Sequence, residues 1–192
     1  MKNVPERLRA RRLRMEQGEQ GFTLIELLVV LLIIGILLAI AIPTFLSVTK
    51  TANNTAAQSN LQTALTGSKT YFESANQTYS GIYGTTAYSN IKAVDTGLSF
   101  VSGGASAVST ASNVISIYAP ASGAYVVLTS YSAGTHDCWG IEDITAVGTA
   151  LWGESTVGTY YGVWEVQTTN ANCHANYGTT PTTISTTGFP SG

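Results

Sequence analysis

A single carboxylate, Glu26, stands at the start of a strongly apolar stretch and is the clearest chemical signal in the sequence. Residues 27–42 carry no polar side chain, and Thr23 lies three positions before Glu26. A charged side chain inside the hydrocarbon of a bilayer costs about 2.5 kcal/mol or more. We therefore expect Glu26 to need a counter-charge or a hydrogen-bond donor.

A basic segment precedes the apolar stretch. All arginines of the chain lie in this segment: Arg7, Arg9, Arg11, Arg12 and Arg14. Basic residues favour the cytoplasmic side of a membrane, so the N-terminus is expected inside and the rest of the chain outside. Because about 20 apolar residues span the hydrocarbon core as a helix, residues 22–42 are predicted to cross the membrane once.

These features together closely resemble the type IV pilin family. They are a basic leader ending in Gly21, the sequence Phe-Thr-Leu-Ile-Glu starting at Phe22, and an apolar helix that contains Gly35 and Pro43. The resemblance covers residues 7 to about 50. It implies that a prepilin peptidase on the cytoplasmic face cuts between Gly21 and Phe22, removes residues 1–21 and N-methylates Phe22.

Such a cut would create a positive charge close to Glu26. The new α-amino group of Phe22 has a reference pKa of about 7.7 to 8.0 and is mostly a cation at neutral pH. Within one helix the two charged groups lie about 6 Å apart along the axis. The resemblance implies instead that Glu26 pairs with the α-amino group of Phe22 in a neighbouring subunit. Each subunit would then neutralise a buried charge of the next, and removal of this energetic cost would favour assembly.

Gly35 and Pro43 interrupt an otherwise strong helical pattern. Proline removes a backbone donor and clashes with the preceding turn, so a kink or partial unwinding is expected between the two residues. The resemblance implies that this stretch loses helical order inside assembled filaments.

Two other interpretations fit parts of the N-terminal sequence. Thr23 and Glu26 have the spacing of a helix capping box, and the helix dipole also favours an acid in the first turn. The small-x-small sequence at residues 39–41 fits signal peptidase cleavage, which would release a soluble protein. Capping alone does not account for the glycine, the basic leader and the apolar run together. Against signal peptidase cleavage, the 26 residues before the apolar run are long for an n-region, and Pro43 lies just past the cut.

The two cysteines, Cys138 and Cys173, lie in the part predicted to be exported. A disulfide is the default outside the cytosol, and one that closes this loop would stabilise by about 3 to 4 kcal/mol. The resemblance agrees, since many pilins hold the C-terminal part of the head in this way. With His136 and His174 the same cysteines could instead form a tetrahedral zinc set, although the spacing is not that of a zinc finger.

Other chemistry is not indicated by the sequence. It contains no phosphate-binding glycine loop, nucleophile elbow or paired-histidine motif, so no catalytic residue, metal or cofactor is expected. Asp137, Glu142 and Asp143 could bind calcium, but a solvated turn is the commoner place for such acids. The large aromatic residues fit sheet packing better than a ligand platform. They are Trp139, Trp152, Trp164, Tyr160 and Tyr161.

Composition limits the possible partners. After removal of residues 1–21 the chain has three lysines and eight acidic residues, a formal charge of −5. This balance argues against a nucleic-acid surface on the head, because phosphate binding depends on clustered Lys and Arg. With 44% hydrophobic residues, the chain is expected to form one folded domain beyond the N-terminal segment.

The periodicity predicts an α+β fold in which a long N-terminal helix packs on a C-terminal antiparallel sheet. The helix is expected over residues 22–75, with a membrane-spanning part at 22–42 and an amphipathic part after Pro43. The head is expected over residues 76–192, with a connection of little regular structure at 76–113 and a polar tail from 170. Strands are predicted at 114–118, 125–131, 138–141 and 160–167.

The resemblance implies a structural subunit of a type IV pilus, not an enzyme. It would be a homo-oligomer, a helical filament of identical subunits that supports adhesion, twitching motility or DNA uptake. Its partners would be the inner membrane, a prepilin peptidase, the pilus assembly machinery and minor pilins. The chain would lie in the cytoplasmic membrane before assembly and on the cell surface afterwards.

Two alternatives stay open at this point. One is a pseudopilin of a type II secretion or competence system. The cysteine pair favours a pilin, since major pseudopilins typically stabilise the same region with calcium. The other is a membrane-anchored or secreted binding protein or enzyme with an unrelated head.

Overall fold

A computed structural model describes residues 21–83, 91, 97–102, 107–148, 150–165, 173–176 and 178–190. The predicted leader therefore lies outside the described residues except for Gly21. The chain divides into two compact units, Met1–Leu46 and Ser47–Gly192. One helix, α1 (Leu24–Ser74), contributes its first part to the first unit and its second part to the second.

Six strands form one sheet in the second unit. They are β1 (Ser99–Ser102), β2 (Val114–Tyr118), β3 (Tyr125–Ser132), β4 (Asp137–Ile144), β5 (Gly158–Trp164) and β6 (Thr183–Ser185). The strands are adjacent in chain order, β1-β2-β3-β4-β5-β6. The β1–β2 pair is parallel and the other four pairs are antiparallel, so the α+β class with a mainly antiparallel sheet is confirmed.

The amphipathic part of α1 covers one face of the sheet. The helix buries Ala57, Leu61, Ala64 and Leu65, which share a core with alternate residues of the central strands. Those strand residues are Val126, Leu128, Trp139, Ile141 and Val163. The short side chains on this side of the helix allow the larger sheet residues to fill the space between the two layers.

The second face of the sheet is also covered, which the sequence did not predict. Every residue of β3 and β4 is buried. A second core on this face includes Tyr125, Val127 and Trp164 from the strands, Trp152 from the β4–β5 connection and Cys173 from the C-terminal segment. Because β3 and β4 are buried on both faces, neither shows the clear alternation of a half-solvated strand.

Several predicted boundaries need correction. Strand β2 has the predicted bounds, but β4 extends to Ile144 and β5 ends at Trp164. Strand β1 lies within the connection predicted to have little regular structure, and β6 lies within the predicted polar tail. Both are short edge strands whose exposed or partly exposed residues give no hydrophobic period, so only the pairing with β2 and β5 identifies them.

Candidate assembly and processing site

The start of α1 is closed by a reciprocal cap between Thr23 and Glu26. The backbone N–H of Thr23 donates to Glu26 Oε2 at 2.8 Å, and the Thr23 hydroxyl donates to the same oxygen at 2.8 Å. In return, the Glu26 N–H donates to Thr23 Oγ1 at 3.3 Å. The capping box considered from sequence is therefore formed. It satisfies backbone donors that the first turn of a helix leaves without partners.

The cap does not use both oxygens of the Glu26 carboxylate. Within the described part of the chain, the hydrogen bonds to this carboxylate are all accepted by Oε2. The Glu26 side chain is exposed, as are its neighbours Phe22 and Ile25. Capping and an ion pair with a second chain are thus compatible, because Oε1 is available to a cationic donor.

The predicted cleavage bond lies just before the helix. Residues 21–23 are not helical, although the Thr23 carbonyl accepts a hydrogen bond from the Leu27 N–H at 3.3 Å, and α1 begins at Leu24. Phe22 is 84% exposed, and no other part of the described chain approaches within 4 Å of a Cβ built on Gly21. This arrangement leaves the Gly21–Phe22 bond accessible, whereas a bond inside the helix would first require unwinding.

The first part of α1 presents apolar side chains on all sides. Its exposed large hydrophobic residues run from Leu24 to Leu46, and no residue of this part is buried. The helix contains an 18-residue window of mean hydropathy 3.2, long and apolar enough to cross a membrane. An apolar surface of this size is incompatible with exposure to water and requires either lipid or other protein around it.

The helix passes through Gly35 and Pro43 without interruption. Proline at 43 has no N–H to donate to the carbonyl of residue 39, yet helical structure continues to Ser74. Apart from its chain neighbours and the nearby backbone of α1, no atom of the described residues lies within 4 Å of a Cβ built on Gly35. The expected partial unwinding is therefore absent from the single chain, and a role of the two residues in helix flexibility stays a prediction about the filament.

The two cysteines are joined in a disulfide. The Cα atoms of Cys138 and Cys173 lie 5.4 Å apart, and the bond ties β4 to the C-terminal segment. Both sulfur atoms are thereby removed from the zinc alternative. His136 has a different partner, since its Nδ1 lies 2.6 Å from the hydroxyl oxygen of Tyr131. In the described part of the chain no three His, Cys, Asp or Glu side chains are arranged to hold a metal ion.

The three acids considered as calcium ligands do not lie in a solvated turn, so that prediction was wrong. Asp137, Glu142 and Asp143 all lie in β4 and are at most 6% exposed. Because Glu142 and Asp143 are consecutive in a strand, their side chains point to opposite faces of the sheet and cannot share one calcium ion. Each has a separate set of hydrogen-bond donors.

Glu142 faces the second core, where it holds the connection that follows β4. Its Oε1 accepts a hydrogen bond from the backbone N–H of Leu151 at 2.6 Å, and its Oε2 accepts one from Trp152 at 3.1 Å. Burial raises the pKa of this carboxyl to about 7, although the two backbone donors act in the opposite direction. The nearby charge of Glu154 raises it further.

Asp143 faces α1 and joins three elements. Its Oδ2 accepts a hydrogen bond of 2.6 Å from the hydroxyl of Tyr79, which is fully buried after the end of α1. Its Oδ1 accepts one from the Thr159 hydroxyl on β5 and lies 3.2 Å from Lys69 Nζ on the helix. Burial and the Asp143 carboxylate both raise the pKa of Tyr79, so the phenol stays neutral. The sequence did not predict the hydrogen bonds of Glu142 or those of Asp143, because an acid in a strand normally indicates a solvent-facing position.

The large aromatic residues pack within the two cores, as predicted. Trp139, Trp152 and Trp164 are at most 5% exposed. The indole N–H of Trp139 donates to Asn54 Oδ1 on α1 at 3.3 Å, and that of Trp164 donates to the Thr179 carbonyl at 3.1 Å. These rings connect the sheet to the helix and to the C-terminal segment, so they offer no exposed platform for a ligand.

Comparison with known proteins supports the resemblance to type IV pilins. Residues 17–42 match the family described as the prokaryotic N-terminal methylation motif. The chain is 44% identical over 59 residues to the type IV major pilin protein PilA of Myxococcus xanthus (strain DK1622). This similarity covers 31% of the present chain and 27% of that relative. A comparison with solved structures gives no significant match.

The matches define a class for the N-terminal region. The chain carries the N-terminal methylation signal of type IV pilins, and that signal is followed by an apolar helix long enough to span a membrane. Pilins are structural proteins, so the resemblance is to a structural family and not to an enzyme family.

Proposed function

We propose that this protein is a subunit of a type IV pilus filament. A prepilin peptidase removes residues 1–21 and N-methylates Phe22. Residues 22–42 hold the processed chain in the cytoplasmic membrane with its N-terminus inside. The assembly machinery then extracts it into a helical filament of identical subunits on the cell surface, with minor pilins as further partners. The filament supports adhesion, twitching motility or DNA uptake.

The observation that carries the proposal is the uncovered apolar surface of α1 from Leu24 to Leu46 behind a methylation signal. Each large aliphatic side chain that passes from water into an apolar environment contributes about 1.5 to 3 kcal/mol. Lipid supplies that environment before assembly, and the equivalent helices of other subunits supply it afterwards. Moving between two apolar surroundings keeps this contribution nearly constant, so extraction from the membrane does not require exposure of the helix to water.

The Glu26 carboxylate gives assembly its register. Its Oε2 caps its own helix through Thr23, while Oε1 is available to the α-amino group of Phe22 in a neighbouring subunit. The carboxylate is costly in hydrocarbon unless a cation neutralises it. A neighbour displaced along the axis would leave both charges without a partner.

Gly35 and Pro43 make the intervening segment the least stable part of the apolar helix. Glycine weakens a helix by about 1 kcal/mol relative to alanine, and proline removes a backbone hydrogen bond. We propose that this segment unwinds on assembly, although α1 is continuous in the single chain. Replacement of both residues by alanine should preserve processing and membrane insertion and should alter the extension of filaments under load.

The processing step is tested by mass spectrometry of the protein recovered from cells. A mature chain that begins with N-methyl-Phe22 supports the proposal, and a chain that begins at Ile42 overturns it. Gly21→Leu should leave full-length precursor in the membrane, because the peptidase must accommodate residue 21 next to the cut. Gly35→Leu is the matched control, since it adds the same side chain outside the cleavage site, and it should be processed normally.

The pairing step is tested by separating the charge of Glu26 from its capping role. Glu26→Gln keeps an oxygen that caps Thr23 but removes the negative charge, whereas Glu26→Ala removes both. Both variants should insert and be processed, and both should form few or no surface filaments by electron microscopy. Normal filament numbers from Glu26→Gln would show that capping alone suffices and would refute the pairing.

A further inference from the structure

A short connection lies across the second face of the sheet and is held there by β4. This segment, residues 150–156, is called the strap below. Its backbone N–H groups at Leu151 and Trp152 both donate to the carboxyl of Glu142. At its far end, the Thr156 hydroxyl contacts the hydroxyl of Tyr160 on β5, and the Tyr160 hydroxyl donates to the Thr156 carbonyl at 3.2 Å.

The ring of Trp152 packs directly against the backbone of two glycines in the sheet. Gly140 and Gly162 are paired between β4 and β5. A Cβ built on Gly140 would lie 3.0 Å from Trp152 Cζ2, and one on Gly162 would lie 3.1 Å from Trp152 Cζ3. The ring also meets Trp164 edge-on, with centroids 5.3 Å apart. The start of the strap is thus held by the Trp152 ring and by the Glu142 carboxyl, and its end by the contacts of Thr156 with Tyr160.

The surroundings of Glu142 do not balance a negative charge. Among the described residues, the titratable groups on this face are Tyr118 from β2, Tyr125 and Tyr131 from β3, Tyr160 from β5, Glu154 in the strap, His174 in the C-terminal segment and His136, which contacts Tyr131. Burial, the neighbouring Tyr118 and the Glu142 charge raise the pKa of Tyr125 to about 12, and burial lowers the pKa of His174, so both are neutral near pH 7.

The lysines in the described part of the chain are elsewhere. Lys50 and Lys69 lie on α1, whose second part packs on the other face of the sheet. When Glu142 ionises, two backbone donors must therefore stabilise a fully buried charge without a cation, whereas water would solvate it fully if the strap opened.

We propose that Glu142 is a proton-controlled latch, which keeps the strap closed while its carboxyl is neutral and lets the strap open as the carboxyl ionises. The carboxyl is fully buried and accepts one hydrogen bond from the strap on each of its oxygens, so it is the group through which a change of charge would reach this connection. Opening would expose Trp152 and the two glycines beneath it, Gly140 and Gly162, to solvent. The device concerns the surface of the head and is independent of filament assembly.

The expected size of the effect follows from proton linkage. The closed strap holds the proton with a pKa of about 7, against a reference value of 4.5 for the same carboxyl in water. Opening therefore releases a proton between these two pH values, and its equilibrium constant rises with pH until it levels off above pH 7. Between pH 5 and pH 8 the opening constant should increase on the order of 50-fold.

Hydrogen exchange of the full-length chain in detergent micelles tests the latch. Exchange is followed by mass spectrometry from pH 5 to pH 8 and corrected for the intrinsic pH dependence of amide exchange. Protection of residues 150–156 should fall on the order of 50-fold, while protection of β3 should stay constant. Glu142→Gln, which keeps the size and one acceptor but cannot ionise, should abolish the pH dependence. Glu154→Gln should lower the pH above which the opening constant levels off, because it removes a negative charge that raises the pKa of Glu142.

Three results would overturn the latch. One is protection of the strap that does not change with pH, and another is a pH dependence that persists in Glu142→Gln. The third is a parallel loss of protection in β3, which would indicate unfolding of the whole head. If Glu142→Gln does not fold, carbon NMR of the Glu142 carboxyl in the unaltered chain decides, and a titration midpoint below pH 5 would refute the proposal.

Discussion

Replacing Asp143 should weaken the packing of the amphipathic part of α1 on the sheet. This carboxylate accepts hydrogen bonds from Tyr79 and Thr159 and forms an ion pair with Lys69. Three elements thus depend on one side chain that is 6% exposed. We expect Asp143→Ala to lower the free energy of unfolding by about 2 to 4 kcal/mol.

Most of that loss should come from Tyr79. Its hydroxyl is fully buried, and a buried donor left without an acceptor costs about 1 to 3 kcal/mol. The Lys69 side chain is 50% exposed, so solvent screens its ion pair and limits the contribution to about 0 to 1 kcal/mol. Lys69→Ala should therefore cost much less than Asp143→Ala.

A double-mutant cycle measures the interaction directly. Asp143→Ala, Tyr79→Phe and the double variant are unfolded by urea in detergent with the disulfide intact, and near-ultraviolet circular dichroism reports the loss of tertiary packing. The coupling energy should be about 1.5 to 3 kcal/mol, as for a hydrogen bond to a charged group. A coupling below about 0.5 kcal/mol would refute the reasoning, as would a Lys69→Ala variant as unstable as Asp143→Ala.

Three further changes test the packing of the head. Gly140→Ala should destabilise by about 1 to 3 kcal/mol in urea unfolding, because its Cβ would lie 2.8 Å from a ring carbon of Trp164. Cys173→Ser should cost about 4 kcal/mol, since the disulfide with Cys138 spans a sequence separation of 35. Asn54→Ala should cost about 1 to 3 kcal/mol in thermal unfolding, because it removes the acceptor of a buried indole N–H.

Matched controls accompany these three variants. Gly178→Ala places the same methyl group where no atom of the described residues other than its chain neighbours lies within 4 Å, and it should be nearly neutral. Reduction by dithiothreitol should destabilise the natural chain but not Cys173→Ser. Asn54→Asp keeps the side-chain oxygen and should lose less stability than Asn54→Ala. Equal stability of Gly140→Ala and Gly178→Ala would contradict the close packing of the Trp164 ring.

Periodic and compositional signals predicted the elements on which the proposed function rests. The apolar run and the amphipathic stripe after it gave a helix over residues 22–75, and α1 occupies Leu24–Ser74. These signals are local, because a helix closes its own hydrogen bonds and shows its environment in a 3.6-residue period. The capping pair and the methylation signal are local for the same reason, so both could be read before the fold was known.

The sequence pattern could not predict which strand residues point to which face of the sheet. Strands β3 and β4 are buried on both sides, by α1 on one side and by the strap and C-terminal segment on the other. Two-sided burial removes the alternation that would assign a face. Strands β1 and β6 show no apolar period and become strands through pairing with neighbours distant in the chain.

The sequence by itself determined that this protein has a methylation signal, a helix long enough to cross a membrane and an acid in the first turn of that helix, because each depends on residues close together in the chain. Tertiary structure decided which acids are buried and what they hold. Glu142 and Asp143 are adjacent in sequence, yet the pleat of β4 sends one to the strap and the other to the helix. Their roles depend on donors supplied by distant segments, which no local pattern records.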